Sequence, residues 1–546
     1  MGVRSRRPKR RRRATCAPDL ISALGDDVLL RVLELLPDAR DAVRTGALSR
    51  RWRGLWARLP ALRFHSEPWP DFARLGCAER FVAFVDDALA LRAAQTESAV
   101  EHLTVSLTMY PPVPPSAVEA AQGWFRYAAQ HALKSFFLQL HLRPDFFAHK
   151  NKKKNKNKKK SEEERPVMVL DELLSYPKLE TMRLALDGVR LKLPTAAVYA
   201  SITDLSLENV EFVDGDCNLL ARLLSSACCP RLQKLRLKNL RFATLGLIKP
   251  LVLEASELLE LLWEEMYRGP GGLELRTPRL RVLHLVDCSS PHMLTLSSPR
   301  SLEELVFLEG QPYSIDIDGE LPCVRSLNVE LTSHRYNFQD DHDDDDDDNN
   351  DNDDHDDNEA TIRLLQCCTS ITCLNVSLFI MKKEDRADDI ISGRVPHLPH
   401  VTSLKVHVFG WGLHSFGDGI ADILTQCTNL KELNIQCTFY MDDELEPHFF
   451  CDHSDHWESH EISLAHLQHV ECTGLAGTDC EFWFMKSLLR SALQLQNVAI
   501  NFDPEYGLKN GTDAFELLPQ LDGGMWTACH NSYLSYQWNR GSLIYK

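Results

Sequence analysis

The stretch LELRTPRLRVLHLVDCSSPHMLTLSSPRSLEELVFL, residues 273–308, contains one apolar pattern twice. LRVLHL begins at Leu280 and LEELVF at Leu302, so the pattern L-x-x-L-x-L returns after 22 residues, and VRSLNV repeats it from Val324. The last two apolar residues of each copy are two positions apart, and such residues share one face of a β-strand. A fixed period of about 20 to 50 residues is typical of a solenoid, in which each repeat covers the apolar face of the next one.

Further copies of the pattern lie on both sides of this stretch. Clear copies are LETMRL at Leu179, ITDLSL at Ile202, LQKLRL at Leu232, ITCLNV at Ile371, VTSLKV at Val401 and LKELNI at Leu430. Weaker copies are VEHLTV at Val100, LKSFFL at Leu133, LQHVEC at Leu467 and LQNVAI at Leu495. Lead-in strands are predicted at LELRTPRL, LTLSSPRSL and IDIDGELP, each followed by a proline turn at Pro278, Pro299 or Pro322. The sequence therefore predicts an α/β solenoid of short parallel strands with helices or loops on its outer side.

Charge is concentrated in three short tracts. The net charge is −17, and residues 340–359 alone contain 13 Asp and one Glu, so the rest of the chain is close to neutral. The basic tracts are RSRRPKRRRR, residues 4–13, and KNKKKNKNKKK, residues 150–160. Dense like charges repel one another and bury nothing. We therefore expect a disordered basic tail over residues 1–18 and disordered insertions at about 149–165 and 338–359 in the loops of repeats that occupy residues 65–465.

Several classes of protein are not supported by the composition. The chain is 44% hydrophobic and 25% charged, and it has neither a long apolar run nor the apolar core of a secretory signal. We expect no membrane association, and we expect its 16 cysteines to be free thiols. No phosphate loop or catalytic motif is present, so we expect no catalytic residue and no cofactor. Cys451, His453, His456 and His460 match no closed zinc site and are interpreted as a polar loop rather than a metal site.

Residues 20–64, LISALGDDVLLRVLELLPDARDAVRTGALSRRWRGLWARLPALRF, predict three short helices. Residues suited to N-caps are spaced to begin each of them: Asp26 for the first, Asp38 or Asp41 for the second and Ser49 for the third. In the third helix Trp52, Leu55, Trp56 and Leu59 share one face, so the tryptophans should be buried and the arginines should surround them. The alternative, a helix–turn–helix that reads DNA, is disfavoured because the body of the chain is not basic.

These motifs resemble the F-box. The resemblance covers residues 19–64 and is carried by DDVL, LRVLELLP, ARDAVRTGALSRRW and RGLW at their present spacing. One departure is Leu24-Gly25, where the family usually has Leu-Pro. The first helix is apolar over more than one stripe, which leaves surface for a partner. The resemblance implies that this partner is the Skp-type adaptor of cullin–RING ubiquitin ligases, with contacts from Leu24, Val28, Leu29, Val32, Leu33 and Leu36.

The remaining chain resembles plant F-box/LRR proteins. Asn209, Asn239 and Cys288 fit approximately the Asn or Cys that follows the motif in leucine-rich repeats. Residues 466–546 resemble the FBD region that follows such repeats. Within them HLQHVECTGLAGTDCEFWFMKSLLRSALQLQNVAINF predicts a strand, a glycine turn, a helix over residues 481–493 and a second strand.

The resemblance implies a non-catalytic substrate-recognition subunit of an SCF-type cullin–RING E3 ubiquitin ligase, which binds an unidentified target protein and no nucleic acid. The alternative is an interaction scaffold of leucine-rich repeats with a vestigial F-box. Side chains between the inward leucines should form the target surface. The candidates are Lys234, Arg236, Lys238, His284, Asn328, Lys405 and Asn434. Because the row begins with basic residues, it suits an acidic target. RRPKRRRR is a candidate nuclear address, so we expect the nucleus, the cytoplasm or both.

Overall fold

The computed structural model describes residues 21, 24–66, 77–95, 100–109, 113–131, 133–142, 165–170, 178–195, 198–213, 217–242, 250–267, 269–288, 292–332, 358–380, 391, 393–411, 417–440, 461–477, 479–504, 521, 524–530 and 534–540. The chain forms two compact units, residues 1–145 and 146–546. In the described segments no helix has both the length and the apolar character needed to cross a membrane. The basic tail, the Lys tract, residues 340–357 of the Asp tract and residues 451–460 lie outside the described residues.

The first unit joins the predicted F-box to the two weak repeats that follow it. Its elements are α1 (Asp26–Glu34), α2 (Ala39–Thr45), α3 (Arg50–Leu55), a 3-10 turn (Trp56–Arg58), β1 (Ala61–His65), α4 (Cys77–Gln95), β2 (His102–Met109), α5 (Pro115–Gln130) and β3 (Ser135–Leu142). Strands β1, β2 and β3 are parallel neighbours. The last residues of the predicted F-box therefore already form the first strand of a repeat sheet.

The starts of the F-box helices follow the predicted caps in two of three cases. Asp38 caps α2 by accepting a hydrogen bond from the Arg40 backbone N–H at 2.7 Å, and Ser49 occupies the N-cap of α3. The prediction for α1 was wrong, because Gly25 is its N-cap and Asp26 is its first helical residue. The Asp26 side chain instead accepts a hydrogen bond from Arg51 Nε at 2.8 Å.

The second unit is a parallel β-solenoid. Its elements are β4 (Val167–Val169), β5 (Thr181–Leu186), β6 (Arg190–Lys192), β7 (Asp204–Glu208), β8 (Glu211–Phe212), α6 (Cys217–Leu224), β9 (Lys234–Lys238), β10 (Arg241–Phe242), β11 (Leu251–Leu253), β12 (Glu260–Glu264), β13 (Gly272–Leu275), β14 (Val282–Val286), β15 (Met293–Leu296), β16 (Glu304–Leu308), β17 (Ser314–Ile317), β18 (Ser326–Thr332), α7 (Glu359–Cys367), β19 (Cys373–Ile380), β20 (Ser403–Trp411), α8 (Gly417–Gln426), β21 (Glu432–Tyr440), β22 (His469–Leu475), α9 (Asp479–Ser491), β23 (Asn497–Phe502), β24 (Gly524–His530) and β25 (Leu534–Arg540).

The main sheet of this unit follows the chain from repeat to repeat. Parallel pairing runs in the order β5, β7, β9, β12, β14, β16, β18, β19, β20, β21, β22 and β23, and β25 and β24 then close it in antiparallel fashion. Two smaller parallel sheets accompany it, β4-β6-β8-β10 and β11-β13-β15-β17. The predicted α/β architecture is confirmed, and the lead-in strands expected from three compact repeats are β13, β15 and β17.

One repeat escaped the sequence pattern. The 48-residue interval from Leu232 to Leu280 contains strand β12, which lies between β9 and β14 in the main sheet. Its inward residues include Leu261 and Trp263, both fully buried. The tryptophan stands where the pattern has its final leucine, so this repeat does not match L-x-x-L-x-L. Lead-in strand β11 belongs to the same repeat and was also missed.

The carboxyl-terminal part forms the predicted strand–turn–helix–strand unit. Strand β22 leads into α9, which spans Asp479–Ser491 where residues 481–493 were predicted, and β23 follows. Gly474 in this segment has a φ of 77°. Because β22 and β23 extend the parallel order of the preceding repeats, this FBD-like segment continues the solenoid.

The sheet register is continuous from β18 to β19, across the interval that contains the Asp tract. Ser326 of β18 pairs with Cys373 of β19, and the two strands stay in step to their ends. At the end of β18, the Thr332 backbone N–H donates to Asn358 Oδ1 at 2.9 Å and the Thr332 carbonyl accepts from Asn358 Nδ2 at 2.8 Å. Asn358 is nearly fully buried. Its side chain thus holds the start of α7 against the end of β18 and fixes the two ends of the interval together.

A left-handed residue ends five consecutive main strands. Asn209, Asn239, Glu265, Asp287 and Glu309 follow β7, β9, β12, β14 and β16, and each has a φ between 48° and 54°. The Asn239 side chain donates to Asn209 Oδ1 at 2.7 Å, so the first two of these residues are also joined laterally. Asn is favoured in this conformation because its side chain tolerates a positive φ. Both predicted repeat asparagines, Asn209 and Asn239, therefore allow the backbone to adopt a left-handed conformation at the end of a strand.

The residue after each left-handed position points into the core. Val210, Leu240, Met266 and Cys288 are all buried there. Cys288 follows the left-handed Asp287, so it fills a core position and differs in role from Asn209 and Asn239. In the fifth repeat the residue is Gly310, with a φ of 138°, and a methyl group at this position would overlap the Cys288 carbonyl of the previous repeat.

We predict that Gly310→Ala lowers the free energy of unfolding of the second unit by roughly 2–4 kcal/mol, because it combines a backbone clash with a strained φ. Hydrogen exchange of the β14 and β16 amides measures this change, because it reports on the second unit alone. Gly319→Ala is the matched control, since Gly319 has a φ of 100° but no atom within 4 Å of its added methyl group. Equal losses for both variants would contradict the clash at Gly310.

Candidate functional site

Helix α1 divides its apolar residues between the interior and the surface. Leu29 and Leu33 are 1% and 2% exposed, whereas Val28 and Val32 are 48% and 47% exposed. The prediction that Leu29 and Leu33 offer surface to an adaptor was therefore wrong for these two side chains. They pack inside the unit because they lie four apart on the face of α1 that meets α3 and the 3-10 turn.

The exposed apolar surface of the F-box is consequently smaller and differently placed than predicted. Leu24, at 39% exposure, lies on the surface with Val28 and Val32, while Leu36 is half-buried. Ile21 and Leu35, at 58% and 74%, were not predicted as contacts and are more exposed than any of these. We call Leu24, Val28, Val32 and Leu35 the α1 surface.

Two arginines, Arg51 of α3 and Arg58 of the 3-10 turn, bind within the F-box. Arg51 donates to Asp26 and to the Leu24 carbonyl, and Arg58 Nη1 lies 3.5 Å from Asp26. Leu55 and Trp56 are buried and Trp52 is half-buried. The predicted burial is confirmed for Leu55 and Trp56 and holds only in part for Trp52, and two arginines of the charged rim fix the start of α1.

A buried ion pair connects α2 to the end of the F-box. Asp38 Oδ2 accepts from Arg40 Nε at 2.8 Å and also accepts from Arg40 Nη2. The side chains of Arg40 and Asp38 are 9% and 10% exposed. The same carboxylate receives the His65 backbone N–H of β1 at 3.3 Å. One side chain therefore caps α2, pairs with its first turn and contacts β1.

In the second unit, outward side chains of the main strands form one continuous surface, which we call the polar face. Pairing places its central row at Arg236, Leu262, His284, Val306, Asn328, Asn375, Lys405, Asn434 and Glu471. Ser206 of β7 is in register with Arg236 but is buried. Lys234 and Lys238 lie beside Arg236 on β9. All seven predicted target residues are thus on the same face, spread over strands β9 to β21.

The predicted basic patch on β9 is neutralised by carboxylates of the missed strand β12 and of the residue that follows it. Lys234 Nζ lies 2.8 Å from Glu260, Arg236 Nη2 lies 2.8 Å from Glu264, and Lys238 Nζ lies 2.8 Å from Glu265. The hydrogen bond to Glu265 raises the pKa of Lys238 above its usual value. This end is therefore not net basic in the structure, because each cation already has a carboxylate, and its binding of an acidic partner stays a prediction.

The middle strands of the polar face are also internally bonded. His284 Nε2 lies 2.9 Å from Glu304 Oε1, and the Asn375 amide donates to Asn328 Oδ1. Further along the strands, the rings of Phe379 and Phe409 stack at 4.9 Å. His407 lies against Phe409 and its burial lowers the pKa of the imidazole.

A cleft of about 450 Å³ opens over strands β20 to β25. Its polar lining comes from the outward residues Ser403, Lys405, Glu432, Asn434, His469, Glu471, Asn497, Gln537 and Asn539. Lys405 and Asn434 were predicted as target residues. The others were missed, since the weak repeats at Leu467 and Leu495 gave little signal and β25 carries no repeat pattern.

Neither a metal centre nor a reactive cysteine emerges from the parts of the chain that the structure describes. No group of three or more His, Cys, Asp or Glu side chains there is arranged to hold a metal ion. The described cysteines are free, and most are buried. Burial raises the pKa of Cys229 to about 12 and that of Cys288 to about 11, so these thiols stay protonated at neutral pH.

Comparison with known proteins agrees with this architecture. Over 217 residues the chain is 30% identical to an FBD-associated F-box protein of Arabidopsis thaliana, a match covering 40% of this chain and 43% of the relative. It is 28% identical over 293 residues to an F-box/FBD/LRR-repeat protein of the same plant, covering 52% and 57%. An F-box/LRR-repeat protein is 26% identical over 270 residues, covering 49% and 65%. No family model matches the chain.

The chain thus spans between 43% and 65% of the length of these curated relatives. The order found in the structure is a set of short helices, a parallel repeat sheet and a carboxyl-terminal extension of that sheet. This order agrees with the three elements in the relatives' names. The resemblance seen in the sequence is confirmed: the chain is similar to plant F-box/LRR proteins that carry an FBD region.

Proposed function

We propose that the chain is the substrate-recognition subunit of an SCF-type cullin–RING E3 ubiquitin ligase. The α1 surface binds the Skp-type adaptor, and the polar face binds a target protein. The chain itself performs no chemical step, and partner subunits transfer ubiquitin to a target held close to them. We further propose that it acts in the nucleus, the cytoplasm or both.

The proposal rests on the apolar side chains that α1 leaves in solvent. Leu29 and Leu33 already fill the core beneath α1, and Val28, Val32 and Leu35 leave about half or more of their surface in solvent. Large apolar side chains that are grouped on one helix and exposed mark a protein interface. Gly25, in place of the family's usual proline, still supports an extended N-cap with φ −67° and ψ 156°, which a proline would also adopt.

The experiment mixes the purified full chain with a purified Skp-type adaptor and measures complex formation by size-exclusion chromatography with light scattering. We expect a one-to-one complex, and we expect ubiquitin transfer only after cullin, RING subunit and charged ubiquitin-conjugating enzyme are added. Absence of the complex at micromolar concentrations would favour the alternative, a repeat scaffold with a vestigial F-box. Transfer by the chain alone would overturn the non-catalytic assignment.

A further inference from the structure

The two ends of the polar face differ in whether their charged side chains already form ion pairs. On β9 and β12, each of Lys234, Arg236 and Lys238 has a carboxylate within 2.8 Å. The cleft over β20 to β25 instead contains charged side chains that are not paired with another described residue. Among the residues that the structure describes, the Lys405 ammonium and the Glu432 carboxylate have no ion-pair or hydrogen-bond partner. A ligand at the first end must break existing pairs, whereas a ligand in the cleft finds charges that are still available.

The cleft presents both signs of charge in an ordered arrangement. Register places Lys405, Asn434 and Glu471 in one row on β20, β21 and β22, and Ser403, Glu432 and His469 in the next row. Asn434 Nδ2 donates to Glu471 at 3.0 Å, which orients that carboxylate without neutralising it. Because neighbouring strands are about 4.8 Å apart, the cation and the Glu471 carboxylate originate about 10 Å from each other.

The remaining polar lining consists mainly of amide side chains. Asn497, Gln537 and Asn539 line the carboxyl-terminal side of the cleft and are exposed. A carboxamide both donates and accepts hydrogen bonds, as does each peptide unit of a protein backbone. The volume of about 450 Å³ also suits a short segment of chain rather than a folded surface. Amide groups between two fixed charges are complementary to a peptide backbone. The two fixed charges are complementary to peptide side chains that carry the opposite charge at each position.

We propose that this cleft holds an extended peptide segment of the target protein that carries one acidic and one basic side chain, with the carboxylate at Lys405 and the cation at Glu432 and Glu471. The inference rests on the proposed function, since it specifies how the polar face recognises its target. An extended chain advances about 3.3 Å per residue, so the two charged residues of the segment are roughly two to four positions apart.

The test uses a fixed library of random decapeptides displayed on phage and selected on the full chain. We expect enriched peptides to contain Asp or Glu and Lys or Arg two to four positions apart, and we expect Lys405→Glu or Glu471→Lys to reduce their recovery about tenfold or more. Selection on Lys405→Glu should replace the acidic preference with a basic one. Lys178→Glu and Glu461→Lys are matched controls, because both residues are exposed and lie outside the cleft.

Three outcomes would overturn the inference. These are enrichment of peptides without the paired charges, equal recovery on the cleft variants and the controls, and failure to enrich any sequence. Adaptor binding is measured on the same preparations. A chain that binds the adaptor but shows one of these outcomes loses only the cleft assignment. A chain that selects charged peptides but does not bind the adaptor loses the ligase assignment and keeps the cleft.

Discussion

The double variant Val28→Asp, Val32→Asp should bind a Skp-type adaptor about a thousandfold more weakly than the natural chain. Each valine leaves close to half of its surface in solvent on the same helix. Removing a central apolar contact costs roughly 2 kcal/mol or more, and two such losses correspond to about three powers of ten in affinity. Isothermal titration calorimetry with the purified adaptor measures the change.

The fold of the variant is expected to survive, because both substituted side chains already face solvent. Leu33→Asp is unsuitable for this test, since Leu33 is 2% exposed and an aspartate there would disrupt the F-box itself. Leu91→Asp serves as the matched control. Leu91 lies on α4 of the same unit, outside the predicted F-box, and is 44% exposed. Unchanged adaptor affinity in the double variant would refute the α1 surface as the docking site.

The second large effect concerns Asp38→Asn, which we expect to destabilise the first unit by about 3–5 kcal/mol. The substitution preserves a side-chain oxygen that can cap α2, but it removes the negative charge that lies against the buried Arg40 guanidinium. Removing one partner of a buried ion pair costs more than the pair itself contributed.

Asp41→Asn provides the comparison within the same helix. Asp41 pairs with Arg44 at 3.0 Å, but these side chains are 49% and 70% exposed. Water solvates both partners, so we expect a loss of less than about 1 kcal/mol. Hydrogen exchange of the α2 and β1 amides is the appropriate measurement, because a chain of two units does not unfold in one transition. Similar exchange rates in the two variants would show that the buried Asp38–Arg40 pair stabilises the first unit no more than the exposed Asp41–Arg44 pair does.

The repeat strands could be predicted because their chemistry is local. Leu235 and Leu237 alternate with charged residues, and that alternation alone specifies a strand with one buried face. Strand β12 was missed for an equally local reason, the Trp263 side chain at its final apolar position. The FBD-like helix was predicted to within two residues because its apolar spacing is helical over several turns.

The surfaces were harder to predict because they depend on neighbours that are distant in the chain. Helical spacing shows that α1 has two apolar stripes, but only packing against α3 decides that Leu29 and Leu33 are the inner one. Likewise, the charge of Lys234 is apparent in the sequence, whereas its pairing with Glu260 depends on which strand lies beside β9. A surface is defined by lateral neighbours, and these are separated by one repeat or more.

The unbroken register of the main sheet bears on how such a protein can evolve. From β5 to β21 the paired strands remain in step, even across the interval that separates Ser326 from Cys373. The outward side chains therefore occupy a lattice with spacings of about 4.8 Å and 6.6 Å. Substitutions farther apart than about 7–10 Å combine additively where the two residues share no partner. Epistasis between lattice points two strands apart should be weak, so selection can alter partner preference by single steps while the scaffold beneath stays unchanged.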